Sequence, residues 1–448
     1  MITPNNEKPI PRASMALKGI TVARVCALFW FASLFLGHAQ ANASFPEMEW
    51  DGHLKFYSRI LFPKSNSVYK AVGLSPNYDG YGELRLNNKT FLSDTLYLEV
   101  NYELIAGGGG TREDGEKLKS QYPTFFPNGL SGPMKDDHRF FNLTDNLHQG
   151  QRAVIYHRLD RAFFSFSPSW GEIRIGRQAL TWGHGFTFNP MDLFNPFAPT
   201  DLKRDYKTGD DLILVHFPVK SVEMDLIYAA HREPDTDEAG MDQSSLGIKL
   251  HANLNRVDTD IMVARHYKDI VTGIGTAGTL GDAAFRLDLT GTFLDQNSRG
   301  RSFYISGVAN LDYSWLWFNR NWYGYIELYY NGLSDNDYSQ ELLDPAVSNR
   351  LDRGELFALG RWYASANVNL EIHPLVNAYI TPIVNLHDGS GMLLPRIVYD
   401  FSDNIRITLT ALLNWGTTGT EYGGYEITDT GFTMAPSDTI SARITWYF

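Results

Sequence analysis

Residues 94–104 read DTLYLEVNYEL, and this stretch decides the fold. Large apolar side chains occupy the even positions from Leu96 to Leu104, and mostly polar ones occupy the positions between them. Successive side chains of a β-strand point to opposite faces, so a period of two predicts a strand with one apolar and one polar face. The stretch therefore indicates a half-wetted strand in an all-β protein.

The same alternation returns along the chain, for example in residues 246–254, 284–293, 360–371 and 405–415. It fits either a soluble β-domain with one wet face or a membrane barrel with lipid outside and water inside. Many of these strands are longer than the usual five or six residues. Tyr and Trp gather at their ends, as in an interfacial girdle. We therefore predict a transmembrane, antiparallel, up-and-down β-barrel.

The chain ends with TISARITWYF, residues 439–448. The apolar side chains of one face are Ile440, Ala442, Ile444, Trp446 and Phe448. This ending resembles the terminal strand of Gram-negative outer-membrane barrels, whose last residue is typically a Phe that the barrel assembly machinery reads. The resemblance implies that machinery as a partner through Phe448, outer-membrane lipid as the surroundings, and the outer membrane as the location.

The beginning of the chain has the layout of an export signal. The apolar run VCALFWFASLFL at 25–36 follows Lys18 and Arg24 and precedes small-x-small cleavage patterns near residue 43. The run is shorter than the roughly 20 residues that a membrane anchor needs. We expect a secretory signal over 1–43, export through the periplasm, and a barrel over 44–448.

Composition excludes several chemistries. Cys26 is the only cysteine and falls within the expected signal, so the exported chain has no disulfide and no cysteine metal site. The net charge is −12, which makes nucleic acid an unsuitable partner. His184 stands alone between glycines, whereas a metal site needs two or three converging ligands. We expect no metal, no cofactor and no nucleic acid.

We expect about 18 strands, with 16 as the alternative. Both chain ends should be periplasmic, so the number is even, and short periplasmic turns should alternate with long outer loops. The strands are predicted at 50–61, 80–88, 94–105, 152–167, 170–178, 211–217, 220–230, 244–254, 258–267, 270–280, 283–293, 302–313, 322–331, 353–371, 374–386, 392–401, 404–415 and 437–448. Without the Gly-rich strand at 270–280, the long connection 332–352 would fall on the periplasmic side. Side chains cannot fill a barrel this wide.

The two longest of the predicted outer connections are 106–151 and 179–210. The second is broken by glycines and prolines, yet it contains the aromatic residues Trp182, Phe186, Phe188, Phe194 and Phe197. So many large apolar groups should pack against a surface, and the barrel wall is available. We predict that loop 179–210 folds inward and narrows the lumen.

This region also carries a resemblance. Gly-Arg-Gln at 176–178, Trp-Gly at 182–183 and Asn-Pro-x-Asp-x-Phe-x-Pro at 189–196 resemble a signature of poorly characterised porin-like outer-membrane barrels of Gram-negative bacteria. Those barrels are distantly similar to alginate-export-type barrels. The resemblance implies a pore but names no solute. Alginate-type exporters have a strongly basic conduit that this sequence does not clearly offer, so alginate is not carried over.

With apolar faces toward lipid, charged residues of both signs line the lumen. Arg174 and Arg177 precede the inward loop, which itself contains Trp182, His184 and Asp192. The residues expected to line or narrow the pore are Glu99, Arg174, Arg177, Trp182, His184, Asp192, Arg286, Asp288, Arg361 and Arg406.

The sequence thus predicts a porin-like channel for passive passage of small hydrophilic solutes, with no catalytic residues. One alternative is a dedicated exporter or the barrel of a secretion assembly with periplasmic partners. Another is a lipid hydrolase, because His387 and Ser390 lie close together. An Asp-Gly hairpin turn is the simpler interpretation of that segment.

Overall fold

The computed structural model describes residues 46–65, 67–71, 76–121, 136–194, 196, 198, 201–233, 236–426 and 433–448. The predicted export signal, residues 1–43, lies outside the described residues, and so does Phe197 of the predicted inward loop.

Eighteen antiparallel strands form a closed ring in which each strand pairs with its neighbours and the last pairs with the first. They are β1 (Glu47–Phe62), β2 (Asn77–Ser93), β3 (Leu96–Gly109), β5 (Ala153–Phe166), β6 (Glu172–Gln178), β7 (Asp210–Val219), β8 (Val222–Ala229), β9 (Ser245–Leu254), β10 (Val257–His266), β11 (Asp269–Leu280), β12 (Ala283–Ser298), β13 (Arg301–Trp317), β14 (Arg320–Asn331), β15 (Trp362–His373), β16 (Val376–Asn385), β17 (Gly391–Ser402), β18 (Ile405–Trp415) and β21 (Asp438–Tyr447). The predicted fold and the count of 18, rather than 16, are confirmed.

Three further strands lie in the long connections. β4 (Thr144–Gln149) pairs with β5 residues 154–158, whereas β6 pairs with residues 162–166 of the same strand. β4 therefore continues the wall beyond the short β6. β19 (Tyr425–Glu426) and β20 (Thr433–Met434) pair only with each other within the last connection.

The predicted alternation of turns and loops is also present. β11, the Gly-rich strand, pairs with both of its neighbours along its length. The end that holds the chain termini carries short turns such as Asp94–Thr95 and Asp403–Asn404, and the opposite end carries the long connections. In bacterial barrels the short turns are periplasmic and the long loops face outward.

Among the described residues of the connections there are four short helices: α1 (Val68–Ala71), α2 (Gly110–Gln121), α3 (Tyr338–Glu341) and α4 (Pro345–Asp352). In the described part of the chain, no helix has the length and apolarity to cross a membrane. At α4, Asp344 caps the first turn by accepting the Ala346 N–H at 2.9 Å, and Pro345 takes the first position. The strand predicted over 353–371 begins only at Trp362, because residues 353–361 belong to the outer connection, and Arg361 lies in that connection.

The faces of the wall have the polarity of a membrane barrel. Outward-facing side chains such as Ile213, Ile261 and Ile274 are apolar and exposed, whereas inward-facing Arg85 and Glu103 are charged and buried. This arrangement is the reverse of a soluble domain and places a polar lining around the lumen.

Aromatic residues mark both edges of the apolar band. On the outer face, Trp315 stacks on Trp322 near the short turns, with ring centroids 6.0 Å apart. Near the long connections, Tyr330 packs on Trp362 with ring centroids 4.6 Å apart. Trp322 and Tyr330 both belong to β14. Their separation of eight positions corresponds to about 26 Å along the strand, which the usual tilt of about 35–45° reduces to roughly 20 Å of the ~25 Å apolar band.

Phe448 completes the seam between the last and the first strand. Its N–H donates to the Gly52 carbonyl at 3.1 Å, and the Gly52 N–H donates to the Phe448 carbonyl at 3.0 Å.

We expect Phe448→Ala to retain these backbone bonds but to lower the yield of folded barrel several-fold, because the terminal aromatic ring is the predicted assembly signal. Heat-modifiable migration of membrane fractions on gels measures the folded yield.

Phe401→Ala is the matched control, because Phe401 is an outward-facing apolar residue with 58% exposure against 50% for Phe448. Equal folded yields for the two variants would contradict a special role for the terminal residue.

Candidate functional site

The connection between β6 and β7, residues 179–209 and here called the inner loop, contacts inward-facing side chains of many strands. His184 makes the first contact. Its ring Nδ1 lies 2.8 Å from Asp288 Oδ1 on β12, and its Nε2 lies 3.6 Å from Asp260 Oδ2 on β10. The structure thus brings together His184 and Asp288, two residues predicted to line the pore.

Glu327 on β14 holds the tip of the inner loop. Its carboxylate accepts the backbone N–H groups of Phe186, Thr187 and Phe188 at 2.7, 3.0 and 2.9 Å. Phe188 also stacks on Tyr329, with ring centroids 4.4 Å apart and planes at 6°. Bonds to a charged acceptor are stronger than neutral ones, so three of them define one position for this tip.

An apolar cluster also attaches the inner loop to the wall. Trp182 is 1% exposed and meets Phe194 edge to face at 5.6 Å. They pack with Met191 in a cluster that includes Leu212 and Ile227 of the wall. Trp182, Phe188 and Phe194 of the inner loop therefore pack against the barrel wall, as the sequence predicts.

The second half of the inner loop reaches the opposite wall. The Tyr206 hydroxyl donates to Glu83 Oε1 on β2 at 2.9 Å, and the Arg85 guanidinium lies 3.9 Å from the centre of the Tyr206 ring. Asp205 pairs with Arg443 of β21 at 2.6 Å. The inner loop thus contacts the wall on both sides of the seam between the first and last strands.

A buried ion pair joins the two halves of the inner loop. Lys207 Nζ contacts Asp192 and the Leu180 carbonyl oxygen. Burial raises the pKa of the Asp192 carboxyl to about 6, although Lys207 opposes the rise, and burial lowers the pKa of Lys207. Asp192 is therefore enclosed within the loop that it stabilises.

Glycines of the wall make room for the inner loop. A Cβ at Gly275 on β11 would lie 2.6 Å from Asp288 Oδ1 and 3.1 Å from His184 Nδ1. A Cβ at Gly247 on β9 would lie 3.0 Å from the Trp182 ring. Gly275 of the Gly-rich strand β11 thus has a packing reason.

Gly275→Ala tests this fit. The added methyl group should push His184 away from Asp288 and loosen the inner loop, because overpacking of a close contact costs about 1–3 kcal/mol. We expect tryptic cleavage after Lys203, Arg204 or Lys207 to become several-fold faster in the folded barrel.

The control is Gly80→Ala on β2, where an added Cβ would meet no atom within 4 Å. Equal cleavage rates in the two variants would contradict the packing role of Gly275.

Arg177 has a different environment from the one predicted. It is 2% exposed, and its guanidinium binds Asp211 and Asp136 at 2.9 Å and the Phe141 carbonyl oxygen at 2.6 Å. By alternation it shares a side of the sheet with Ile175, which is 52% exposed. Arg177 therefore attaches the segment around 136–141 to the wall and does not face the lumen. Burial raises the pKa of Asp136, but its neighbours Arg177 and Arg139 outweigh this and lower it.

The other predicted charges are paired along the wall. Arg174 binds Glu172 at 2.7 Å, and Arg406 binds Asp400 at 2.6 Å. Glu99 accepts the Asn101 amide at 3.3 Å.

Two predicted arginines contact loops. Arg286 pairs with Asp312 and lies 4.6 Å from the centre of the Phe186 ring, so it touches the tip of the inner loop. Arg361 binds the Ser334 carbonyl oxygen and Asp335 within the outer connection, away from the inward faces of the strands.

Two cross-strand pairs were not predicted. His216 Nδ1 lies 2.7 Å from Asp225 Oδ1, and His251 Nδ1 lies 2.8 Å from Asp260 Oδ1. Each His is the direct register partner of its Asp across a two-residue turn. In the second turn, at 255–256, both residues have positive φ, as type I′ hairpins require. A search for ionisable residues placed symmetrically about such turns would have found both pairs.

A second buried acid, Glu421, holds the last outer connection. It accepts the Leu359 N–H at 2.8 Å and the Asn385 amide at 2.7 Å, and the Tyr363 hydroxyl also donates to it. Among the residues that the structure describes, no basic side chain forms an ion pair with Glu421. Burial raises its pKa to about 7.

This pKa generates a pH prediction. A raised pKa means that the folded connection binds a proton more tightly than the unfolded one, so the stabilisation is lost as pH rises from about 4.5 to about 7. Hydrogen exchange of residues 416–426, corrected for intrinsic rates, should show several-fold weaker protection at pH 8 than at pH 5. Glu421→Gln should remove most of this dependence, because the amide stays neutral.

Glu426→Gln is the control, because Glu426 is an exposed acid of the same connection. If Glu421→Gln retained the full pH dependence, Glu421 would not be its source.

A closed ring of 18 antiparallel strands with a loop packed on its inner face has the architecture of a porin. In particular, the structure is similar to two solved outer-membrane proteins of Pseudomonas aeruginosa. OpdK aligns with a TM-score of 0.50 at 10% identity, over 90% of this chain and 98% of that one. OccK9 (OpdG) aligns with a TM-score of 0.52 at 11% identity, over the same shares.

At such low identity these likenesses concern the fold alone. No family model matches the sequence, and no curated protein matches it either. The resemblance to alginate-export-type barrels stays a prediction.

Proposed function

We propose that the chain is an outer-membrane channel of a Gram-negative bacterium for the passive passage of small hydrophilic solutes, with a lumen narrowed by the inner loop. One observation carries the proposal. Residue His184 of this loop approaches Asp260 on β10, and residue Asp205 pairs with Arg443 on β21. These strands are half the ring of 18 apart, so one loop contacts opposite walls.

Cavities lined in part by charged side chains lie on both sides of the inner loop and support a path for hydrophilic solutes. A cavity of about 630 Å³ lies toward the long connections and is lined by residues such as Arg59, Arg112 and Lys203. A second cavity, of about 410 Å³, lies toward the short turns between β7 and β10. Burial and the neighbouring Arg59 lower the pKa of Lys203 to about 8.

The hydrolase alternative is less well supported. Ser390 is buried, and its Oγ accepts the Tyr422 N–H at 3.1 Å. Its own N–H donates to Asp388 at 2.8 Å, and Gly389 has a φ of +72°. These features favour a structural hairpin turn, as the sequence predicts, over a nucleophile exposed to lipid.

Single-channel conductance in planar bilayers tests the proposal. We expect steady conductance from the refolded barrel and a roughly twofold larger conductance from Glu327→Ala, because that variant releases three backbone bonds at the loop tip. Deletion of residues 183–200 should have at least as large an effect.

Glu371→Ala is the matched control, since Glu371 is an inward-facing acid on β15 whose partner is Asn321 rather than the inner loop. Absence of conductance in every form would overturn the channel. Equal conductance in all forms would overturn only the narrowing by the inner loop.

A further inference from the structure

Three imidazole–carboxylate pairs gather in the half of the lumen nearest the short turns. They are His216 with Asp225, His251 with Asp260, and His184 with Asp288, with Nδ1-to-carboxylate distances of 2.7, 2.8 and 2.8 Å. The first two are on the wall and the third joins the inner loop to the wall. Alternation along β7 and β9 directs His216 and His251 inward with Leu214 and Lys249.

These contacts fix the tautomer and the orientation of each imidazole ring. An ionised carboxylate can only accept a hydrogen bond, so Nδ1 must carry the proton and Nε2 of the neutral ring is left as an acceptor. In the described part of the chain, the Nε2 atoms of His216 and His251 have no protein partner. The two Nε2 atoms are therefore hydrogen-bond acceptors with a fixed orientation. They line the cavity of about 410 Å³, and Glu223 lines the same cavity.

The charge of this cavity is unbalanced. Asp225 and Asp260 share one cation, Lys249, whose Nζ lies 3.7 and 3.9 Å from them. Glu223 is exposed to the cavity and forms no ion pair with any described residue. Asp288 behind His184 adds a further negative charge. With neutral imidazoles, carboxylates outnumber cations on this part of the wall.

We propose that this cavity is a binding station for organic cations that carry N–H donors, such as primary ammonium groups, on their way through the channel. The proposal rests on the proposed channel function and names a solute class for it. An ammonium group offers three donors, which match two imidazole Nε2 atoms and the Glu223 carboxylate. The remaining carboxylates supply the attraction.

A directly coordinated metal ion fits this geometry less well. In the residues that the structure describes, no group of three or more His, Cys, Asp or Glu side chains is arranged to hold one. Hydrogen bonding to a larger cation does not require ligands at coordination distance, so it suits the spread of these acceptors better.

The station should also weaken in acid. Protonation of His184 adds positive charge opposite Asp260 and Asp288, beside Lys249. The hydrogen bond to Asp288 raises the pKa of His184 in the inner loop.

The test is a current measurement on the full barrel. Reversal potentials in a tenfold KCl gradient should show cation preference at pH 8 and little preference at pH 5. At pH 8, n-butylammonium should bind and interrupt the K⁺ current. Tetramethylammonium, which has the same charge but no N–H donor, should interrupt it several-fold less.

Variants of the station separate the contribution of charge to cation binding from the contribution of hydrogen bonding. Glu223→Gln leaves every ion pair of the station intact and should reduce the cation preference several-fold. His216→Gln combined with His251→Gln should keep most of the preference at pH 8 but weaken the butylammonium block several-fold. Glu371→Gln, on β15, should behave like the unmodified protein.

Several outcomes would overturn the station. Steady conductance without cation preference at pH 8 would reject it while leaving the channel function standing. Equal block by the two ammonium ions would reject the hydrogen-bonded site, and block by Zn²⁺ alone would reassign it to a metal ion. Absence of conductance in every form would reject the channel and the station together.

Discussion

Backbone hydrogen bonding in lipid is the constraint on which the rest of the molecule depends. Unpaired N–H and C=O groups are too costly in hydrocarbon, so a sheet that crosses the membrane must close on itself. Here closure occurs between β21 and β1, in a register that runs from His53–Tyr447 to Phe62–Asp438. A ring of this many strands is too wide to be filled by its own side chains. The wide lumen is therefore a consequence of closure, and the inner loop acts within it.

The contacts between the inner loop and the wall follow from this wide lumen. An inward-facing carboxylate on a strand, Glu327, has few partners on the wall, and it accepts three backbone donors of the inner loop instead. Strand β11 of the wall has little side-chain volume. It therefore leaves space for the inner loop beside Gly275. The loop and the wall are thus complementary in charge and in volume, although they are far apart in sequence.

The sequence predicts the wall much better than the site. Strand number and facing follow from a local period of two, and apolar packing of the inner loop follows from its aromatic content. The partner of an inward charge does not follow, because alternation gives the face of Glu327 but says nothing about which backbone groups approach it. Arg177 illustrates the same limit, since its partner Asp136 is 41 positions away. The helix beginning at Pro345 has no long sequence pattern that would predict it, because it is a short capped turn. Separately, the strand expected from residue 353 begins at Trp362, which leaves Arg361 in the outer connection.

The inner loop also has a mechanical consequence. A thin-walled tube deforms most easily by flattening, when opposite walls approach and the other two move apart. A segment fixed to Asp260 on one wall and to Arg443 on the opposite wall resists that flattening like a strut, as well as occupying space. The stiffness of the cross-section under lateral pressure from the bilayer then depends on the contacts that one loop makes with opposite walls.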